Sequence, residues 1–224
     1  MTGEPVGTVA AVDLGTAVGR VVVGHVGPKA LRLEEAHRFT NEPVALPDGI
    51  HWDVLHLYRE SLAGLQIAAR GGAPPLSVGV DAWGSDFGLL DTGGALVGNP
   101  SHARDGRQAA GADVVHARAR PASLYMRTGI GFEPTTSLYQ LAALDGTDAF
   151  ARAGSLLLVP DLMGYWLTGE VATDEVPPTA YAIPRSNVLR PDEVTPSLTT
   201  EEVLANAPEV ESDRFKVPRV VEVE

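Results

Sequence analysis

Three β-rich segments within the first forty residues constrain the fold more than any other feature of this sequence. Residues 7–13 and 20–26 are rich in β-branched side chains, and Gly15 and Gly19 lie between them. Residues 30–39 follow a Gly-Pro pair and alternate apolar with polar side chains. The pattern predicts two strands joined by a tight turn and a third strand that completes an antiparallel meander with one polar face.

The sequence then alternates helical and extended patterns. Apolar residues at helical spacing between residues 54 and 69 predict an amphipathic helix that Asp53 caps. A meander followed by crossover helices predicts an α/β fold with a mixed sheet and flanking helices, in the ribonuclease-H-like layout. The remaining predicted elements, in chain order, are strands 77–81, 87–90 and 95–97, helices 106–119 and 137–151, a strand 156–159 and a helix 161–167.

The composition changes after Glu170. Prolines become frequent there, aromatic residues are few, and acidic residues outnumber basic ones. Such a segment buries too little apolar surface to support a core of its own. We therefore divide the chain into a globular domain, residues 6–170, and an acidic, proline-rich tail, residues 171–224, that we expect to be loosely structured or disordered.

Charge and composition exclude several classes of function. A net charge of −12 argues against nucleic acid or an anionic membrane as a partner, because both are bound through clustered Lys and Arg. The absence of cysteine excludes disulfides and thiol chemistry, which suits a cytoplasmic protein. Because the sequence has neither a signal-peptide pattern nor a long apolar run, we expect it to be soluble. A small molecule is the partner that this composition favours.

The turn after the first predicted strand, VDLGTAVGR, is a candidate phosphate site. Its glycines would permit the close approach and the unusual dihedral angles that backbone N–H groups need to reach phosphate oxygens. Asp13 could then hold a hydrated Mg²⁺ beside the phosphate. The spacing matches neither a Walker P-loop nor G-x-G-x-x-G, and a plain tight hairpin explains the same residues equally well. The candidate phosphate-binding residues are Asp13, Gly15, Thr16, Ala17, Val18, Gly19 and Arg20.

Two further segments could bind a sugar. In GVDAWGSDF, Trp83, Gly84 and Asp86 follow a predicted strand and would offer a ring for the C–H face of a sugar and an acceptor for its hydroxyls. In HARDGR, Arg104 and Asp105 could direct a guanidinium and a carboxylate toward a polyol. A strand–turn–strand with a core tryptophan and an ordinary surface ion pair are the alternative interpretations.

Taken in order, these segments resemble the N-terminal domain of the FGGY carbohydrate kinases, a family within the actin and Hsp70-like ATPase superfamily. The resemblance is strongest to rhamnulokinases and covers about three quarters of the chain, and its specificity lies in the order of several motifs. Besides VDLGTAVGR and GVDAWGSDF, the motifs that carry it are EAHRFTN at 35–41, GIHWD at 49–53, residues 99–107, TGIGFEPTTSLYQL at 128–141 and PDLMGYWLTGE at 160–170.

The resemblance implies a fold, cofactors and an activity. ATP and Mg²⁺ would be the cofactors, and the γ-phosphoryl group of ATP would pass to the 1-hydroxyl of a ketose such as L-rhamnulose. Thr16 to Arg20 would face phosphate, and Gly84 would contact the sugar.

Several departures from the family pattern limit that expectation. Ala17 and Val18 stand where rhamnulokinases usually carry small hydroxyl residues, and Thr136 and Ser137 replace Asn-Thr. The T-N-A-S/T-T motif does not follow Glu170, and the family's H-D-T segment, which holds the catalytic aspartate, is not found. We therefore assign no catalytic residue and expect a truncated kinase of doubtful activity. The alternatives are a non-catalytic sugar-binding or regulatory module, and an interaction protein whose acidic tail covers an exposed surface.

Overall fold

The computed structural model describes residues 7–172 of the 224-residue chain and two short strands nearer its C-terminus. The chain divides into two compact units, Met1–Ala182 and Ile183–Glu224. In the second unit the described elements are β9 (Val210–Glu211) and β10 (Arg214–Phe215), which pair antiparallel. Apart from these two strands and residues 171–172, the tail that was predicted to be loosely structured lies outside the described part of the chain.

A four-stranded mixed sheet forms the centre of the first unit. Its strand order is β3-β2-β1-β6, and only β1 and β6 run parallel. The antiparallel meander predicted for the first forty residues is confirmed. The strands are β1 (Gly7–Leu14), β2 (Val18–Gly27), β3 (Ala30–Thr40) and β6 (Val78–Ala82).

One face of this sheet is buried beneath helices. Helix α1 (Val54–Arg70) begins where predicted, because the Asp53 carboxylate accepts a hydrogen bond from the backbone N–H of His56 at 2.9 Å. Helix α6 (Val159–Thr168) contributes to the same core. The fully buried members of that core include Val12, Leu14, Val21, Trp52, Val54, Leu57, Val159 and Met163.

Outside the four-stranded sheet, the later elements form smaller pairs. Strand β7 (Phe87–Leu90) pairs antiparallel with β8 (Ser155–Leu158). Helix α2 (Arg107–Arg118) packs against α4 (Ser137–Leu144). The other described elements are β4 (Val44–Leu46), β5 (Gly49–His51), α3 (Pro121–Thr128) and α5 (Asp148–Arg152).

The contact between α2 and α4 is unusually close at Gly111. A Cβ atom at this position would lie 1.9 Å from the carbonyl oxygen of Tyr139. Only glycine lets the two backbones approach this far, so Gly111 fixes the spacing of the two helices.

Two predicted elements differ from the structure, and two short features were not predicted. The helix predicted over residues 137–151 is two helices, because Gly146 has a φ of 79° and Thr147 caps α5 through its hydroxyl. Residues 95–97 do not form a strand; Leu96 makes one isolated bridge to Leu90, and the Asp91 carboxylate closes the turn before it. The β4–β5 hairpin and α3 are short elements that were not predicted. Within residues 7–172, no helix is long and apolar enough to cross a bilayer.

Candidate functional site

Three rings from separate segments stack beside the carboxyl end of β6. The ring centroids of Trp52 and Trp83 are 4.1 Å apart, and those of Trp52 and His102 are 4.2 Å apart. Trp52 is buried, whereas Trp83 and His102 are half-buried. We call these three residues the indole platform. Half-buried rings of this kind offer a flat surface for the C–H face of a sugar.

The buried carboxylate of Asp86 holds the two indole rings of the platform in place. Asp86 is 0 % exposed, and its Oδ2 accepts from the indole N–H of Trp52 at 2.5 Å and of Trp83 at 3.0 Å. The backbone N–H of Ala103 donates to the same oxygen at 3.2 Å, and Gln140 Nε2 donates to Oδ1 at 2.7 Å. Four donors satisfy the buried charge. A direct sugar contact was predicted for Asp86, but its carboxylate is buried behind the indoles, where it orients them.

The turn between Trp83 and Asp86 is strained. Ser85 has a φ of 84°, in the left-handed region that residues with a Cβ rarely adopt. The hydroxyl of Ser137 donates to the Ser85 carbonyl at 2.7 Å, and Gln140 Nε2 lies 3.3 Å from the same oxygen. Strain of this kind persists where the surroundings hold it, and it is found most often at functional sites. The same turn contains Gly84, which is exposed.

Arg104 and His102 form a polar edge beside the platform. Arg104 is exposed, and its backbone N–H donates to His102 Nδ1 at 2.9 Å. Burial and the charge of Arg104 lower the pKa of His102 and together outweigh the carboxylates of Asp86 and Asp105, which act in the opposite direction. A neutral ring that accepts at Nδ1 carries its hydrogen on Nε2, so His102 can donate to a hydroxyl group.

Asp105 is committed to contacts within the protein. Its Oδ2 accepts from the backbone N–H of Ile50 at 2.6 Å, and its Oδ1 accepts from Arg107 Nε at 2.6 Å and Arg107 N at 3.0 Å. Burial alone would raise the pKa of Asp105, but these hydrogen bonds outweigh burial and lower the pKa to about 2. Asp105 therefore joins β5 to the start of α2, and the polyol contact that the HARDGR segment predicts for it stays a prediction.

The candidate phosphate turn joins β1 to β2. The Gly15 N–H donates to the Val18 carbonyl at 2.9 Å, while Asn41 donates to the carbonyls of Gly15 at 2.8 Å and Ala17 at 2.9 Å. Thr16 and Ala17 are exposed, and their N–H groups form no hydrogen bond within the described residues. Because Asn41 fixes the conformation of this turn, its free N–H groups can bind an anion.

The glycines of this turn serve packing and not unusual dihedral angles. Neither Gly15 nor Gly19 has a positive φ. A Cβ on Gly19 would lie 2.3 Å from the ring of Phe39, so Gly19 is required for that ring to pack on the hairpin. The expectation of unusual dihedral angles at these glycines is wrong, and the expected close approach to phosphate oxygens stays a prediction.

Two carboxylates lie side by side where β1 and β6 end. Asp13 and Asp81 are register partners in these parallel strands, and Arg20 is the register partner of Asp13 on its other side. Arg20 Nε donates to Asp13 Oδ2 at 3.1 Å, so one charge of the pair is partly neutralised. Within residues 7–172 no group of three or more His, Cys, Asp or Glu side chains could hold a metal ion. Mg²⁺ would therefore need phosphate oxygens or water to complete its coordination.

The carboxyl ends of β1 and β6 bring the two halves of the candidate site together. The turn containing Thr16 follows β1, and the turn containing Trp83 follows β6, the parallel neighbour of β1. Ligands of open α/β sheets bind outside such strand ends. Trp83, Gly84 and Arg104 are accessible, whereas Asp86 and Asp105 support the site from within.

Sequence analysis did not assign four residues that the structure places at this site. Trp52 lies in the GIHWD motif and Gln140 lies in the TSLYQL motif, so motif membership was an available signal for both. His102 lies in the HARDGR segment, in which only Arg104 and Asp105 were assigned. Asp81 is exposed and has no local pattern that would distinguish it from a solvated charge, so only strand register reveals it.

Curated relatives match the first three quarters of the chain. Rhamnulokinase from Oceanobacillus iheyensis is 36% identical over 162 residues, which are 71% of this chain and 34% of that protein. Rhamnulokinase from Pectobacterium atrosepticum is 39% identical over 170 residues, which are 74% of this chain and 34% of that protein. The predicted resemblance of this segment to the FGGY carbohydrate kinases is confirmed. The chain spans about a third of the length of these FGGY relatives.

Solved FGGY structures show the same fold. Gluconate kinase from Lactobacillus acidophilus superposes with a TM-score of 0.65 at 15% identity, covering 75% of this chain and 34% of that one. Xylulose kinase from Rhodospirillum rubrum superposes with a TM-score of 0.63 at 19% identity, covering 75% of this chain and 36% of that one. These similarities confirm the predicted α/β fold of the sugar-kinase ATPases.

The end of the chain matches a different family. Residues 169–217 match the family model "GatC: Glu-tRNAGln amidotransferase C subunit". The match begins at Gly169, next to Glu170, where the resemblance to the FGGY family was expected to end. Sequence analysis did not identify this family.

Proposed function

We propose that the FGGY segment is the sugar-binding domain of a carbohydrate kinase, and that its indole platform binds a ketose such as L-rhamnulose. The observation that carries the proposal is the stack of Trp52, Trp83 and His102 held by the buried Asp86. The reaction is the transfer of the γ-phosphoryl group of ATP to the 1-hydroxyl of the ketose. The curated relatives that match this segment are named rhamnulokinases.

The platform suits a sugar for chemical reasons. A ketose has an apolar C–H face and several hydroxyl groups, so it binds where a ring lies beside fixed donors and acceptors. Trp83 provides the ring, His102 Nε2 provides a donor, and the exposed Gly84 leaves room for close approach. Because the indole N–H groups are tied to Asp86, the rings are oriented before the sugar arrives, which reduces the entropy lost on binding.

The turn from Gly15 to Val18 would hold the phosphates. The free N–H groups of Thr16 and Ala17 would donate to phosphate oxygens. Asp13 and Asp81 would hold Mg²⁺ through their carboxylates, and the ion would neutralise the charge of the transferred phosphoryl group. The adjacent ends of β1 and β6 would direct the phosphate and the sugar toward each other.

Two carboxylates of the candidate site, Asp86 and Asp105, are unsuited to act as the general base. Asp86 has no exposed surface, and both oxygens of Asp105 are hydrogen-bonded. A base must reach the hydroxyl proton directly or through one water. We therefore expect this chain by itself to bind ketose and to turn it over poorly.

Titration of the purified chain with L-rhamnulose tests this function. We expect quenching or a spectral shift of tryptophan fluorescence that saturates, and loss of that response in Trp83→Ala. Trp166→Phe is the matched control, because the Trp166 ring contacts Tyr58 and is not one of the three rings of the platform, so the response should remain. An unchanged spectrum at saturating sugar would refute ketose binding at the platform.

ADP release in the presence of ATP, Mg²⁺ and L-rhamnulose separates catalysis from binding. Sugar-dependent release would show that the chain is a working kinase. Sugar binding without release would favour the alternative function, a non-catalytic sugar-binding or regulatory module. A full-length rhamnulokinase serves as the positive control.

A second candidate function concerns residues 169–217 alone. We infer from the amidotransferase match that this segment binds another subunit of a Glu-tRNAGln amidotransferase. Co-purification with the remaining subunits of such an enzyme tests the inference. Capture by the full chain, and its loss when residues 169–217 are deleted, is the expected result, whereas equal capture by both chains would overturn it.

A further inference from the structure

An open pocket of about 460 Å³ adjoins the indole platform. We call it the distal pocket, and the residues that line it include Ala103, Arg104, Asp113, His116, Phe132 and Thr135. The backbone N–H of Ala103 donates to Asp86 Oδ2 at 3.2 Å. Gln140 Nε2 donates to Asp86 Oδ1 at 2.7 Å and to the Thr135 carbonyl at 2.9 Å. The buried carboxylate that orients the indoles therefore also holds two walls of this pocket.

Phe132 provides an apolar wall of the distal pocket. It is 55 % exposed, yet its ring centroid lies 5.0 Å from that of His116 and 5.5 Å from that of Tyr139. His116 Nε2 lies 3.2 Å from the hydroxyl oxygen of Tyr139, which is itself buried. Because two neighbouring rings fix Phe132, its exposed surface can contact an apolar part of a ligand with little loss of entropy.

Arg104 provides a polar group at the same pocket. Its side chain is exposed, and no hydrogen bond or ion pair within residues 7–172 occupies its guanidinium. Two carboxylates also line the pocket; that of Asp105 is hydrogen-bonded within the protein, and that of Asp113 is exposed. A neutral ligand with hydroxyl groups suits these surroundings, because it can accept from Arg104 and carries no charge that the carboxylates would repel.

We propose that the distal pocket binds the C6 end of the ketose, and that Phe132 selects ketohexoses whose C6 is a methyl group. This inference rests on the proposed function, in which the 1-hydroxyl is directed to the phosphate turn. None of the described residues that line the distal pocket belongs to that turn, so the pocket receives the end of the sugar remote from C1.

The selection has a simple physical cause. The methyl group of a 6-deoxyketohexose contacts the Phe132 ring, while Arg104 donates to a hydroxyl group on a neighbouring carbon. A 6-hydroxyl group in the same place would exchange water for an aromatic ring and gain no hydrogen-bond partner from it. The pocket therefore favours 6-deoxyketohexoses such as L-rhamnulose.

Paired calorimetric titrations with L-rhamnulose and L-fructose test this selection. The two ketohexoses share one configuration and differ in the hydroxyl group that L-fructose carries on C6. We expect the chain to bind L-rhamnulose about fivefold or more tightly, and Phe132→Ala to bring the two dissociation constants within about twofold of each other. Phe132→Leu keeps an apolar contact and should retain most of the preference. Phe150→Ala is the matched control, because Phe150 is 40 % exposed and does not line the distal pocket.

The outcomes separate this inference from the proposed function. Equal affinities for the two ketoses, or an undiminished preference in Phe132→Ala, would overturn selection by Phe132 while leaving ketose binding at the platform intact. A chain that binds neither ketose would refute the proposed function and this inference with it.

Arg104→Ala tests the polar contact. It should weaken binding of both ketoses by a similar factor, because the hydroxyl group that Arg104 contacts is present in both. Arg118→Ala is the control, since Arg118 is exposed on α2 and does not line the distal pocket. Unchanged affinities in Arg104→Ala would contradict the placement of the sugar beside this residue.

Discussion

The hydroxyl of Ser137 donates a hydrogen bond to the carbonyl of Ser85 across 52 positions of the chain, at 2.7 Å. Ser85 is held at a φ of 84°, and Ser137 is the first residue of α4. Helix α4 therefore keeps the turn beside the indole platform in a conformation that it would not adopt alone.

Ser137→Ala should release this turn. Loss of one half-buried hydrogen bond is expected to lower the free energy of unfolding by about 1 kcal/mol and to weaken ketose binding. Urea unfolding and a fluorescence titration measure the two effects. Ser123→Ala is the control, because Ser123 is exposed on α3, and equal behaviour of the two variants would argue against the role of Ser137.

Asp86→Asn should disrupt the platform. An amide has one acceptor oxygen and a donor group, so it cannot accept from Trp52, Trp83 and Gln140 together. We expect a loss of about 3 kcal/mol in the free energy of unfolding and a changed near-ultraviolet circular dichroism spectrum. Asp113→Asn, at an exposed site on α2, should change neither quantity.

Gly111→Ala should separate α2 from α4. The added methyl group would lie 1.9 Å from the Tyr139 carbonyl oxygen, so one helix must move, at a cost of about 2 kcal/mol or more. Gly106→Ala is the matched control, because a Cβ there meets no atom within 4 Å. Thermal unfolding compares the two, and equal midpoints would contradict the close contact.

Asp105 should make stability depend on pH in the acid range. Its pKa of about 2 in the folded protein lies below its ordinary value of 3.8, so folding favours the ionised form. The stabilisation is complete above about pH 4 and is lost as the pH falls toward 2. After allowance for solvent screening it amounts to roughly 1–2 kcal/mol. Unfolding curves measured across this range should be flatter for Asp105→Asn than for the unchanged protein, and parallel curves would refute the assignment.

Asp81 should contribute to a divalent cation site with Asp13. Mn²⁺ is a suitable probe, since its electron paramagnetic resonance signal falls when the ion is bound. In the presence of ATP, Asp81→Asn should bind Mn²⁺ less tightly, and Arg20→Gln should bind it more tightly because Asp13 loses its ion-pair partner. Asp148→Asn, on the exposed first turn of α5, is the control. Equal affinities in all variants would refute the site.

The local sequence pattern was sufficient to predict the long strands and the first long helix of this fold. The β-branched alternation of the first forty residues and the apolar spacing of α1 report directly on a buried face, and Asp53 marks the start of its helix. The break in the helix predicted over residues 137–151 was less visible. It depends on Gly146 adopting a positive φ, which the apolar pattern on either side does not reveal.

The candidate site was predictable only in part, because its geometry depends on contacts between distant segments. Trp83 and Gly84 were identified from their position after a strand. The burial of Asp86 depends on Trp52, 34 positions earlier, and on Gln140, 54 positions later. The pairing of Asp13 with Asp81 requires the parallel register of β1 and β6. Propensity and spacing within one segment carry no information on such pairs.

Adjacent residues of α4 contact two different structures. The backbone of Tyr139 lies against Gly111 of α2, and the side chain of Gln140 reaches Asp86 beneath the indoles. These two adjacent residues of α4 therefore link helix α2 to the two tryptophans. A sugar that reorients the indoles would therefore also displace α2. Amide hydrogen exchange in α2 would then report ligand binding at a surface that the ligand never contacts.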